Sequence, residues 1–188
     1  MIPFEPESQF AKSFGYLWHE IKGGAWHTTS PEAFVRILAD GKINPGPIPE
    51  RLIAQGLPPC FSSKIGAVSV FDFVEARWHK MKDFQRYQWP QFFCGDRSAP
   101  DPQSFVKICY AIEIDRTKAP GWRTIEETLA LWKEELNLRP PPGNVIPWHE
   151  TCHHGSIPLS TCVRAIEIRS IDGRVISHSP ASLVGARG

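Results

Sequence analysis

The sequence predicts an α+β fold, a mainly antiparallel sheet with flanking helices, on three observations. Apolar residues recur at helical spacing in the first half of the chain, as at Phe34, Ile37 and Leu38. Alternation takes over later, most cleanly at Val106, Ile108, Tyr110, Ile112 and Ile114, where every second side chain is apolar as on a half-buried strand. Asp172-Gly173 separates two strand-like runs and readily takes the left-handed conformations of a two-residue hairpin. Helices early and strands late argue for α+β rather than a regular βαβ alternation.

Each element has a local reason. Residues 1–24 read as an irregular or weakly helical N-terminal extension, with Phe10, Phe14, Leu17 and Ile21 at helical spacing before Gly23-Gly24. Residues 25–29 form a short strand. Ser30 can then cap the free amides of a helix whose first position suits Pro31, and Gly41 supplies its left-handed stop. Residues 43–59 are a loop rich in proline and glycine. Cys60-Phe61-Ser62-Ser63 reads as a strand end, and a helix carrying Ala67, Val70, Phe71, Val74, Trp78 and Met81 on one side follows it. Residues 83–104 form a long aromatic insert of the kind that is usually functional. Thr124 and Glu127 make a capping box for a helix burying Ile125, Leu129, Trp132 and Leu136, which Pro140-Pro141-Pro142-Gly143 ends. Residues 145–151, 163–169 and 174–177 are strands, and the tail over 179–188 is expected to fray.

Composition bounds the function. A chain of 188 residues, 41% hydrophobic and 22% charged, suits one globular domain. A formal net charge of +1 gives no overall basic field for nucleic acid, though a local groove can still bind it. No apolar run is long enough to span a bilayer, and Met-Ile-Pro-Phe-Glu-Pro-Glu lacks the basic and apolar regions of a signal peptide. A cytoplasmic location and no membrane partner are therefore expected. The five cysteines form no CxxC pair and read as reduced thiols. Eighteen prolines and seven tryptophans point to a loop-rich fold with aromatic-lined surfaces.

Three stretches carry candidate chemistry. His149-Glu150-Thr151-Cys152-His153 matches the His-Glu-x-x-His motif of zinc peptidases. That motif works on a helix, where both histidines face one way and the glutamate activates water. Pro147 and Gly155 leave room for a short helix at most, so no metal is expected and the zinc metallopeptidase stays an alternative. Arg77, His79, Lys80, Lys82 and Arg86, interleaved with Trp78, Tyr87 and Trp89, could track a nucleic-acid backbone or form a solvated helix face. His27 lies in Trp26-His27-Thr28-Thr29-Ser30, just ahead of the capped helix. By itself His27 reads as a structural histidine, and Glu150 by itself as a surface carboxylate.

Three segments in order resemble the ADP-ribosyltransferase superfamily. The first is Trp26-His27-Thr28-Thr29-Ser30 with the helix to Gly41. The second is Cys60-Phe61-Ser62-Ser63 running to Phe71. The third is Glu150 followed by Ile157-Pro158 and a final strand. The resemblance implies a single domain with a split, mainly antiparallel sheet that holds NAD between its halves, and mono-ADP-ribosyl transfer to a macromolecular acceptor, with nucleic acid slightly favoured over protein. It also implies a small bacterial toxin or defence effector with an antitoxin or immunity partner. His27 would bind the nicotinamide ribose and the backbone at Thr28 the carboxamide, with Thr29 alongside. Phe71 would stack on the nicotinamide ring, Phe61 would line the pocket, and Ser62 or Ser63 would support that side or Glu150. Glu150 would hold the ribose 2′-hydroxyl and steady the oxocarbenium-like transition state. Thr28 stands where many members have glycine, and Phe71 where the histidine-type branch has tyrosine. A catalytically inactive module on the same fold is a further alternative. The pair His27 and Glu150 is expected on adjacent strands facing one cleft, and opposite faces would count against the reading.

Overall fold

The computed structural model describes residues 15–47, 60–74, 76, 90–93, 106–138 and 149–184. The short helix α1 (Leu17–Ile21) leads into β1 (Ala25–Thr29) and then α2 (Pro31–Asp40). The start and stop signals of α2 act as expected. Ser30 Oγ accepts from the Ala33 amide at 3.3 Å, and Gly41 takes the left-handed conformation at φ 66°. After β2 (Lys42–Ile43) come α3 (Phe61–Lys64), β3 (Ala67–Asp72), α4 (Pro90–Phe93) and β4 (Lys107–Ile114). Helix α5 (Ile125–Leu138) is opened by the Thr124–Glu127 capping box, whose two reciprocal bonds measure 2.7 and 3.1 Å. The chain closes with β5 (Glu150–His154), β6 (Ile157–Pro158), a 3₁₀ turn (Leu159–Thr161), β7 (Cys162–Ile171) and β8 (Arg174–Ala181).

Six strands form one antiparallel sheet in the order β5-β3-β1-β4-β7-β8, and β2 pairs separately with β6. The fold is thus α+β with a mainly antiparallel sheet. Asp172 at φ 50° and Gly173 at φ 73° make the β7–β8 hairpin, as the dipeptide predicts. The central strand β1 changes partner along its length. It pairs with β3 through Ala25–Asp72 and Trp26–Phe71, and with β4 from Trp26–Glu113 to Thr29–Tyr110. Both faces of the sheet are covered. On one, Leu17, Trp18 and Ile21 of α1 and Phe93 of α4 pack with Trp26, Phe71, Phe73 and Ile168. On the other, Phe34 and Ile37 of α2 and Ile43 of β2 pack with Val68, Val70 and Ile112.

The structure corrects several sequence expectations. Residues 67–72 form strand β3, not a helix, and 61–64 form helix α3, not a strand end. The run Ala67–Asp72 is buried almost throughout, and a short apolar run in the middle of a sheet has no periodicity to separate strand from helix. Strand β8 continues to Ala181, past the expected end at 177, because β7 pairs with it as far as Ala165–Ala181. Of the predicted strand at 145–151, Glu150 and Thr151 lie in β5, which runs on to His154. Residues 145–148, the basic stretch at 77–89 and most of the aromatic insert lie outside the described residues, as do Phe10 and Phe14. None of the described helices is long and apolar enough to cross a membrane.

Candidate functional site

His27, Ser69 and Glu150 come together across β1, β3 and β5. Past Trp26 the β1–β3 ladder ends, and the His27 ring bridges the two strands instead. Its Nδ1 lies 3.0 Å from the carbonyl oxygen of Ser69. A carbonyl can only accept, so Nδ1 carries a proton and donates it to Ser69 O. Ser69 turns its hydroxyl the other way and donates to Glu150 Oε1 at 2.5 Å, a charge-assisted bond to a largely buried carboxylate. One serine therefore engages the histidine through its backbone and the glutamate through its side chain.

This arrangement differs from the expected one in two respects. His27 and Glu150 are not on adjacent strands, because β3 lies between them. They also leave opposite faces of the pleat, the outcome that counts against a cleft shared by both side chains. Glu150 pairs with Phe71, which pairs with Trp26, whereas His27 is the next residue along β1 and pairs with Ile112. The ending of the β1–β3 ladder brings the two residues back within reach of one serine. Ser69 was not singled out from the sequence. It sits within Ala67–Asp72, whose misread helical spacing would have placed its side chain elsewhere.

A cavity of about 650 Å³ opens beside this junction, within the size range of small-ligand sites. His27, Thr28, Thr29 and Ser30 line one wall, and Arg36, Ile37 and Asp40 of α2 line another. Lys42, Asn44 and Pro45–Pro47 close one end, and Phe92, Ile108 and Cys109 the other. Ile37 and Ile43 belong to one face of the sheet, while Phe92 packs against the other. The cavity thus reaches around the end of the β1–β3 ladder and touches both faces.

The remaining sequence candidates are placed apart from this cavity. Phe71 is 3% exposed and enclosed by Phe73, Phe92, Phe93 and His149, with ring centroids at 5.3–6.4 Å. Phe61 and Ser62 are buried in α3, where the Cys60 thiol contacts Ser63 Oγ at 2.8 Å and Ser62 Oγ at 3.4 Å. Of the eight residues named from the sequence, only His27, Thr28 and Thr29 line the cavity. Neither Glu150 nor Ser69 lines it; Glu150 is linked to the wall residue His27 only through Ser69.

The His-Glu-x-x-His stretch is a strand, not a helix. On a helix, positions i and i+4 stack one turn apart. Here His149 precedes β5 and is wholly buried against Phe71 and Phe73, while His153 contacts the Gly155 carbonyl at 3.2 Å. Burial pushes the His149 imidazole down to about 3, because the charged form has lost its water. Among the described residues, no three of His, Cys, Asp and Glu gather as metal ligands. A second cavity of about 540 Å³ lies at the other end of β1. Its charged groups are tied to one another or to neighbours, as in Arg116–Asp72 at 3.4 Å and Glu113–Arg164 at 2.7 Å.

No family model matches this chain, and a search of curated proteins finds no match either.

Proposed function

We propose that the chain is an NAD-dependent mono-ADP-ribosyltransferase whose site lies at the end of the β1–β3 ladder. The observation that carries this reading is the His27–Ser69–Glu150 link beside a small-ligand cavity, with the histidine and the glutamate drawn from opposite ends of the chain. The sheet would be split where β1 leaves β3, and NAD would lie in that opening. His27 would accept a ribose hydroxyl through Nε2, and the β1 backbone at Thr28 would meet the carboxamide. Breaking the glycosidic bond to nicotinamide develops positive charge on the ribose. A carboxylate held in a largely water-free site stabilises that charge far better than one in bulk water. Glu150 does not line the cavity and leaves the face opposite His27, so Oε2 would meet the ribose only where the ligand passes the end of the β1–β3 ladder, with Ser69 holding Oε1.

The basic and aromatic residues between Arg77 and Trp89 favour nucleic acid over protein, and a toxin or defence role with an antitoxin partner comes from the family resemblance alone.

The test is release of nicotinamide from NAD by the purified protein, alone and with DNA, RNA or lysate protein as acceptor. Glu150→Gln is expected to lower turnover at least ~100-fold while leaving the circular dichroism spectrum and the unfolding midpoint near wild type. If no acceptor elicits nicotinamide release, the reading fails. If an activity proves indifferent to Glu150→Gln and is lost on chelation, the zinc alternative replaces it.

A further inference from the structure

We propose that the cavity of about 540 Å³ at the Ala25 end of β1 is a second ligand site, and that it takes a small, uncharged, apolar molecule. Its volume lies within the range of small-ligand sites. Ala25 belongs to its wall and His27 to the wall of the other cavity, two residues and about 7 Å apart along one strand. The two cavities are distinct but share β1.

The class of ligand follows from how the polar groups of the wall are already engaged. Glu113 accepts from Arg164 at 2.7 Å, and Arg116 pairs with the wholly buried Asp72 at 3.4 Å. Asp115 pairs with Lys118 at 2.9 Å and accepts from the hydroxyl and the amide of Thr117 at 2.6 and 3.0 Å. Each charge on the wall thus has its counter-charge, so a charged ligand would lose water here without gaining an ion partner. The exposed wall is predominantly apolar. Val74 and Val163 are 54% and 60% exposed, two of the seven large apolar side chains that stand exposed among the described residues, and both border this cavity. The exposure of Val163 has a local cause. Strands β4 and β7 pair Glu113 with Arg164 and Ile114 with Cys162, so the register skips Val163. A bulge of this kind takes one side chain out of the alternation of the ladder and re-aims it. Exposed valines scattered singly need no partner, but two on the rim of one mainly apolar cavity make a surface that an apolar ligand covers with a gain in free energy.

The probe is 4-fluorotoluene, with 4-fluorobenzoate as its charged counterpart of similar size, and affinities come from fluorine NMR on the full chain. The neutral probe is expected to bind saturably, and the anion at least ~10-fold more weakly. Val163→Glu sets an unpaired charge on the rim and should weaken the neutral probe by a similar factor, whereas Val163→Ile should keep it. Val35→Glu, at a 65% exposed position on α2 outside this wall, should leave binding unchanged. Unfolding midpoints check that each variant folds. Absence of saturable binding, equal affinity for the two probes, or wild-type affinity in Val163→Glu each overturns the proposal. So does displacement of the probe by NAD, which would place it in the His27 cavity. A wild type that binds no probe but sediments as a dimer, and becomes monomeric in Val163→Glu, would assign the two valines to a contact between copies instead. The site does not rest on the NAD reading, and the failure of either leaves the other standing.

Discussion

Mild acid should destabilise this protein through His149. The imidazole sits at 0% exposure against the rings of Phe71 and Phe73, and burial lowers it from an ordinary 6.5 to about 3. The folded state therefore resists a proton that the unfolded chain accepts freely. With the folded value depressed, stability is full above the unfolded value near 6.5 and falls steadily as the pH drops toward 3. Between pH 7.5 and pH 5 the loss spans about 1.5 pH units, or about 2 kcal/mol at roughly 1.4 kcal/mol per unit. That is a large share of the ~5–15 kcal/mol of a typical domain. Stopping at pH 5 keeps most carboxylates out of the window. The assay is urea unfolding at half-unit pH steps, followed by fluorescence, for wild type and for His149→Phe, whose ring can pack with the same neighbours. The wild-type midpoint should fall with pH while the variant's stays nearly flat over this range. Equal slopes in the two proteins would refute the assignment of the proton uptake to His149.

Two further outcomes follow from the site and its surroundings. Ser69→Ala removes the hydroxyl that holds Glu150 Oε1 but keeps the carbonyl that holds His27. Nicotinamide release should lose ~10–100-fold in kcat, as for one hydrogen bond to a charged group, with a smaller change in KM, measured by steady-state kinetics. Gly121 lies at φ 105°, and an added Cβ would stand 2.9 Å from the His154 carbonyl oxygen. Its segment covers the outer side of β5 through His154 N–H to Gly121 O at 2.9 Å, so Gly121→Ala should cost about 1–3 kcal/mol in urea unfolding.

What the sequence by itself determined is local. Ser30, Pro31 and Gly41 bound α2, Thr124 and Glu127 open α5, and Asp172-Gly173 turns the last hairpin, because caps and tight turns are satisfied by groups within a few residues. Alternation at 106–114 marks β4 because every second residue there is large and apolar, although the expected half-burial does not hold, since Cys109 and Ala111 on its other face are buried too. Only the tertiary structure decided the rest. Strand β3 is buried on both faces, so its sequence carries no period, and Phe71 moved from a proposed ligand surface into the core. His27 and Glu150 were named from their order along the chain. Their relation depends on where the β1–β3 ladder ends and on Ser69, which touches both. The partners in those contacts are 42 and 81 residues apart, and local propensity does not encode pairing over such separations.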